Sequence, residues 1–229
     1  MFLLLFLGTL GISLLASARV KSNYTRYSQL AASSGMTGAQ AAAEILRRAG
    51  IYDVEIRAQE GRLSDHYDPL HKRLVLSREN FYGRSVAALG VSAHEAGHAL
   101  QHAQAYAPLH LRMAAVGITN VASQIVTWLP LLGMFTGMIA PPACFAILAI
   151  GWGVIMAFNL ITLPVEFDAS ARAKKLLVGV GMVNPGPEAE GVNKVLNAAA
   201  WTYVAAFLTS LAYFIWHVLP FLTGGSDED

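Results

Sequence analysis

The sequence has little charge: only 14% of its 229 residues are Asp, Glu, Lys or Arg. Soluble domains carry about 25% charged residues, so this deficit argues against an ordinary soluble enzyme. Its single cysteine, Cys144, excludes a disulfide framework and a metal site built from several cysteines. The net charge of +1 gives no indication of a nucleic-acid-binding surface, and no nucleic-acid partner is expected.

Apolar residues make up 55% of the chain and are concentrated in four runs. A membrane-spanning helix needs about 20 apolar residues, with about 17 as the lower limit. The runs predict transmembrane helix 1 at residues 1–18, helices 2 and 3 within 113–163 (at 113–138 and 143–163), and helix 4 at 198–219. The other segments are 19–112, 164–197 and an acidic tail at 220–229.

All Lys and Arg residues lie in segments 19–112 and 164–197. Because basic residues close to the ends of spans stay in the cytoplasm, both segments are predicted to be cytoplasmic, with both chain termini outside. A signal peptide cleaved after Ala16-Ser17-Ala18 is the alternative for the first run. Its positive charges follow the apolar run instead of preceding it, which favours a retained span.

Segment 19–112 is expected to contain a small α+β region. Its predicted elements are a helix at 37–49 behind the capping box Thr37-Gly-Ala-Gln40, short strands at 54–57 and 74–76 in a hairpin or sheet, a turn at 65–69, a helix start near Ser77 or Ser85, and a long helix at about 86–105. Asp65, His66 and Asp68 could form a metal cluster, but Gly61 and Pro69 favour the turn.

The residues most indicative of chemistry are His94-Glu95-Ala96-Gly97-His98, an H-E-x-x-H pattern within the long helix. Residues four apart lie on one helical face, so both imidazoles can reach one zinc ion at about 2.0–2.1 Å. Glu95 lies one step round the helix, where its carboxylate can accept a proton from a zinc-activated water. The alternative is a solvated helix face that happens to carry two histidines.

A catalytic zinc needs a third protein ligand and an open fourth position. Gln101 and Gln104 stand where a metzincin has Gly and His, so that class is excluded.

Glu166 is the candidate third ligand, because the charge rule places it at the membrane boundary on the same side as the motif. Pro164 predicts the first turn of a new helix there. A surface carboxylate, with Asp168 and Arg172 paired beside it, is the alternative.

With these residues in view, the chain resembles the YugP-type zinc-dependent membrane metallopeptidases of bacteria over nearly its whole length. The distinctive runs are Asp65–Pro69 and Leu163–Ser170. The resemblance covers residues 34–38, 63–69, 85–88, 94–102, 162–170 and 196–206. The resemblance implies a membrane zinc peptidase with His94 and His98 as ligands and Glu95 as the catalytic base. It also implies a bacterial cytoplasmic membrane, crossed several times, with the active site on the cytoplasmic side.

A wider likeness is to the membrane gluzincins, in which a strand, the H-E-x-x-H helix and a helix carrying a ligand Glu build the site. That group often has an Asp four residues after the ligand Glu, which orients a zinc-bound His. Ser170 stands at that position here, so either Asp168 or Ser170 is expected to orient the imidazole.

Together these observations predict a mainly α membrane protein with four transmembrane helices and a small α+β zincin-like cytoplasmic metallopeptidase region with a short β-sheet. One catalytic Zn²⁺, a protein or peptide substrate (membrane-associated or misfolded) and the lipid bilayer are the expected partners. The substrate is expected to pair with an exposed sheet edge at Leu74–Leu76, although simple sheet packing explains that strand as well. Five residues are expected to position a ligand or stabilise the transition state: His66, Tyr67, His102, Asp168 and Arg172.

Two other classes remain open. A non-catalytic zinc-stabilised membrane scaffold or quality-control adaptor would need His94, His98 and Glu166 but not Glu95. A transporter or channel should place ionisable residues at mid-membrane, and the predicted spans lack them apart from His217 near one end.

Overall fold

A computed structural model describes residues 1–61, 64–137 and 139–223. Three parts of the predictions lie outside these residues: Leu63, Met138 at the end of the second span, and the acidic tail beyond Thr223. The described residues are 75% helical and contain one small sheet. In order, the elements are α1 (Phe2–Tyr27), α2 (Gly38–Arg48), β1 (Glu55–Gln59), β2 (His66–Asp68), β3 (Arg73–Ser77), α3 (Arg78–Tyr82), α4 (Val86–Ala103), α5 (Ala107–Thr136), α6 (Pro141–Gly179) and α7 (Pro187–Thr223).

Four of these helices, α1, α5, α6 and α7, are long and apolar enough to cross a membrane, as predicted. In each, at most 17% of the most apolar window is buried within the protein. Side chains that face lipid have this property, because lipid replaces protein as their apolar surroundings.

The prediction that a new helix begins at Pro164 is wrong, because α6 runs through Pro164 without a break. A proline inside a helix removes one backbone hydrogen bond. Here the residues that follow it are packed inside the protein: Val165, Ala169 and Ala173 are all fully buried. Their tertiary packing outweighs the local cost of the proline.

The chain divides into two compact units. The first comprises Met1–Leu14, Leu111–Leu163 and the residues from Tyr203 onward. The second comprises Leu15–His110 and Pro164–Thr202.

Within the first unit, polar and small residues join the apolar helices. The Asn159 amide on α6 donates to the Ser210 hydroxyl at 3.0 Å and to the Ala206 carbonyl at 3.2 Å, both on α7. Gly153 on α6 faces the Phe214 ring, where an added Cβ would lie 3.1 Å from a ring carbon. Such hydrogen bonds and close approaches are typical of helix pairs in membranes.

His217 also belongs to the first unit and is 7% exposed. Its Nδ1–H donates to the Tyr213 carbonyl at 2.7 Å, and its ring packs on Phe145 with centroids 5.4 Å apart. A hydrogen bond within its own helix therefore accounts for one of its two ring nitrogens.

In the second unit, the two predicted strands, β1 and β3, and a third strand that the sequence does not predict, β2, form a sheet of order β1-β3-β2. β1 pairs with β3 in parallel and β2 pairs with β3 antiparallel. The prediction of an exposed edge at Leu74–Leu76 is wrong, because β3 is the central strand and all three of these residues are buried. Among the described residues, the open edges belong to β1 and β2.

The turn predicted at 65–69 is partly wrong, because His66–Asp68 forms β2. The two aspartates do bond to backbone N–H groups, as turn aspartates do, but at the ends of this short strand. Asp65 accepts from the Ser77 N–H at 2.8 Å, and Asp68 accepts from the Leu70 N–H at 3.0 Å. The turn itself begins only after Asp68.

Helices α2 and α4 begin where their capping residues predict. The Thr37 hydroxyl accepts from the Gln40 N–H at 3.2 Å, and the Gln40 side chain accepts from the Thr37 N–H at 2.9 Å. Gly50, with φ of +71°, follows the end of α2. The Ser85 hydroxyl caps α4 by accepting from the Ala88 N–H at 3.1 Å.

α4 lies in the middle of the second unit and is buried along most of its length. Its apolar side chains share one core with side chains from the sheet, α2, α6 and α7; the largest fully buried members of this core are Ile45, Leu74, Leu76, Leu89 and Leu177. A buried helix with neighbours on several sides gives its polar residues fixed positions, which is the condition for building a site on it.

Candidate metal centre

The site lies where α4 meets α6, and Gly97 permits their close approach. A Cβ added at Gly97 would lie 2.9 Å from the Ala169 carbonyl oxygen and 3.2 Å from the Ala169 Cα. The small residue within the H-E-x-x-H motif therefore lets the two helix backbones touch. The small side chains after Glu166, which predict a closely packed helix, serve the same contact.

This contact brings three metal-binding side chains together: ligand atoms of His94, His98 and Glu166 all lie within 4.8 Å of one another. Glu166 Oε2 is 3.2 Å from His94 Nε2 and 3.5 Å from His98 Nε2. Ligands held tetrahedrally at about 2.0–2.1 Å from zinc lie roughly 3.3 Å apart. Two imidazole nitrogens and a carboxylate at these separations fit one zinc ion. Glu166 is only 2% exposed, so it is not a surface carboxylate.

The other ring nitrogen of each histidine bonds to a neighbouring side chain. His94 Nδ1 lies 3.1 Å from the Ser170 hydroxyl, and His98 Nδ1 lies 2.9 Å from the Gln101 side-chain oxygen. Of the two residues predicted to orient an imidazole, Ser170 therefore contacts His94 directly. Asp168 acts on His98 indirectly: it accepts a hydrogen bond at 2.8 Å from Gln101, which in turn bonds to His98.

Gln101 is a site residue that the sequence does not single out. In the sequence, a glutamine at this position only excludes the metzincin class, which has glycine there. The signal that could have found it is its position three residues after His98, on the same helical face. It is fully buried, whereas glutamine is mostly exposed in proteins.

Arg172 pairs with Asp168, as the four-residue spacing predicts, with 2.5 Å between Nε and Oδ2. Its Nη1 donates to the Gln104 side chain at 2.5 Å, and its guanidinium lies over the Tyr106 ring at 5.9 Å. These contacts tie the end of α4 to α6 and engage Arg172 on two sides.

Glu95 is 8% exposed, and its carboxylate has no hydrogen-bond partner among residues 1–61, 64–137 and 139–223. Among the described residues, the fully enclosed side-chain atoms without a hydrogen-bond partner are Ser92 Oγ and Thr209 Oγ1, so the Glu95 carboxylate still reaches solvent, where a water molecule can meet it. Burial favours the neutral form of His98, but the hydrogen bond with Glu166 and the charge of Glu95 outweigh it and raise its pKa. The site is thus negative enough to attract a cation.

Tyr67 and His102 form a pair beyond the three ligands. Burial raises the pKa of Tyr67 to about 12, so its hydroxyl keeps its proton and donates to His102 Nδ1 at 2.9 Å. Burial also lowers the pKa of His102, which keeps the imidazole a neutral acceptor. Both side chains line a cavity of about 270 Å³ together with Asp53 and Lys72.

His66 lies at the start of β2, where its Nδ1–H donates to the Ser64 carbonyl at 2.8 Å. Asp65 and Asp68 bond to different parts of the backbone, as described above. Within the described ranges, His94, His98 and Glu166 form the one group of three side chains arranged for a metal, so Asp65, His66 and Asp68 do not make a second.

Comparison with known proteins gives the same chemistry. Residues 2–221 match the family described as "Putative neutral zinc metallopeptidase". The chain is 45% identical over 233 aligned residues to the "Putative membrane protease YugP" of Bacillus subtilis (strain 168), with all of both chains covered. No solved structure matches. A match over nearly the whole length shows that the chain belongs to this zinc metallopeptidase family.

Proposed function

We propose that the protein is an integral-membrane zinc metalloendopeptidase of gluzincin-like design, with His94, His98 and Glu166 as zinc ligands and Glu95 as the general base. The observation that carries the proposal is the convergence of three ligand atoms at zinc-like separations beside a carboxylate without a hydrogen bond. Family membership supports the metal and the peptide substrate.

The reaction would proceed by attack of water on a peptide carbonyl. A bound zinc ion supplies Lewis acidity, which lowers the pKa of water towards about 7 and polarises the carbonyl. The Glu95 carboxylate accepts the proton that the attacking water loses and passes it to the leaving amine. Ser170 and Gln101 hold the His94 and His98 rings in place for this chemistry.

The developing oxyanion needs a hydrogen-bond donor. Because Arg172 is engaged by Asp168 and Gln104, we assign it to holding α4 and α6 together. The Tyr67–His102 pair remains the candidate: because Tyr67 donates to Nδ1, the neutral His102 ring carries its proton on Nε2, and that N–H is the donor on the same helix as the ligands.

The zincin-like character of the α+β region, the cytoplasmic position of the site in a bacterial membrane and the choice of membrane-associated or misfolded proteins as substrates belong to the same proposal. The four apolar helices and the distribution of Lys and Arg support the location.

The test is zinc content and peptidase activity of the detergent-purified protein against an unfolded reporter protein. Glu95→Gln should keep one zinc and lose about 10²- to 10⁴-fold in activity, because a positioned general base contributes that much. Glu166→Ala should lose both zinc and activity. Glu44→Gln, a change at a half-buried ion-paired carboxylate on α2, is the matched control and should behave as wild type.

The scaffold or adaptor function makes the opposite prediction for Glu95. If wild type binds zinc but cleaves nothing, and Glu95→Gln is indistinguishable from it, the metal is structural and the peptidase proposal fails. The Glu95 carboxylate reaches solvent and has no hydrogen bond in the described chain, so it is available to a water molecule, which favours the peptidase.

A further inference from the structure

Gln101 uses both N–H donors and the oxygen of its amide between the two helices of the site. Its Oε1 accepts from His98 Nδ1 at 2.9 Å. Its Nε2 donates to the Val165 carbonyl at 2.8 Å and to Asp168 Oδ2 at 2.8 Å. A fully buried glutamine loses considerable side-chain entropy, so three bonds made at once indicate a specific role.

We infer that Gln101 is a positioning residue that selects the tautomer of His98 and holds Glu166 in register with it. This inference rests on the proposed function, because it assigns the residue to the zinc site. Gln101 is not one of the three candidate ligands and acts through two of them, which lie on different helices.

The orientation of the amide follows from the chemistry of its neighbours. A carbonyl oxygen and a carboxylate oxygen can only accept, so the NH₂ of Gln101 must face Val165 and Asp168. Its oxygen must then face His98, which requires the proton of the neutral ring to be on Nδ1. The lone pair of His98 is thereby left on Nε2, the atom 3.5 Å from Glu166.

The same amide also fixes the neighbouring helix. Val165 directly precedes Glu166, so the bond to its carbonyl sets the position of the ligand carboxylate along α6. Asp168, which accepts the second bond, is itself held by Arg172 at 2.5 Å. The network therefore links one ligand's tautomer to the other ligand's position.

The experiment measures zinc affinity of the full-length protein in detergent by competition with a chelator of known affinity. It also records the visible absorption of the Co²⁺-substituted protein, which reports ligand geometry. Gln101→Leu should lower zinc affinity by about 10- to 100-fold and change the Co²⁺ spectrum, as losses of groups that orient ligands do. If it fails to fold, Gln101→Asn, which is too short to reach His98, replaces it.

Gln101→Glu separates positioning from simple packing. The new carboxylate can still accept a hydrogen bond from His98, but it repels the Asp168 carboxylate. A positioning role therefore predicts that Gln101→Glu binds zinc with an affinity closer to wild type than Gln101→Leu does. A packing role predicts the reverse order. Ser92→Ala is the matched control, since Ser92 is a fully buried polar residue on α4 whose hydroxyl has no hydrogen-bond partner within the described ranges.

The inference would be overturned if Gln101→Leu kept wild-type zinc affinity and an unchanged Co²⁺ spectrum. It would also be overturned if Gln101→Glu bound zinc more weakly than Gln101→Leu. Peptidase activity is measured separately. If the wild-type protein binds zinc but cleaves nothing, the proposed function fails, and the order of zinc affinities among the wild type and the Gln101 variants still decides the role of Gln101. A wild-type protein that binds no zinc overturns both.

Discussion

At the scale of single residues, the smallest side chain of the motif is as informative as its ligands. Gly97 lies on the face of α4 that touches Ala169, and both histidines depend on that contact to meet Glu166. A glycine inside a helix costs about 1 kcal/mol relative to alanine, so its presence there calls for a packing reason.

Gly97→Ala should therefore weaken zinc binding and lower stability by about 1–3 kcal/mol, because the new methyl group forces α4 and α6 apart. Gly90→Ala is the control on the same helix, since a Cβ there meets Val192 at an ordinary 3.7 Å. Thermal unfolding and zinc content of both purified variants check this. Equal melting temperatures and equal zinc in the two variants would contradict it.

At the scale of elements, α4 is the helix on which the site depends, and its start is fixed by one hydroxyl. Ser85 accepts from the Ala88 N–H, which satisfies one of the donors left free in the first helical turn. Ser85→Ala should lower the free energy of unfolding by about 1 kcal/mol.

Ser85→Asp should keep most of that free energy, because a carboxylate also caps a helix start and interacts well with its dipole. Chemical denaturation of both variants in the same detergent measures the difference. An Asp variant as unstable as the Ala variant would show that the hydroxyl does not act as a cap.

The elements also show what the sequence could predict. The capping box at Thr37, the cap at Ser85 and the H-E-x-x-H pattern are local signals, and the helices they predict are present. β2 is also local, because it pairs with β3 only five to nine residues away, but Asp65, Asp68 and Pro69 are equally typical of a turn. The passage of α6 through Pro164 depends instead on packing against residues far along the chain, such as Gly97. Gln101 belongs to this second kind, because its role depends on Val165 and Asp168, more than 60 residues away.

At the scale of the whole molecule, the distribution of basic residues predicts which side of the membrane each loop occupies. Residues 139–142, between the second and third predicted spans, carry no charge and are predicted to lie outside. Cys144, in the first turn of α6, is half-buried and is the chain's only cysteine. It can report this orientation without any engineered label.

A membrane-impermeant maleimide should label Cys144 in intact cells. A Cys144→Ala, Tyr52→Cys double variant should react only after the cells are opened, because Tyr52 is 80% exposed in segment 19–112, which is predicted to be cytoplasmic. The two labelling experiments use the same reagent and detection by gel shift. The reverse pattern would place the metal centre outside the cytoplasm.

The distance along the chain between the ligands has a consequence for biosynthesis. Glu166 follows His94 by 72 residues, and the whole of α5 and much of α6 are translated in between. A growing chain on the ribosome therefore carries two of its three ligands long before the third emerges. With these residues as the proposed ligands, zinc would be held tightly only after α6 is made, so the proposed peptidase would stay inactive until most of its own chain has been translated.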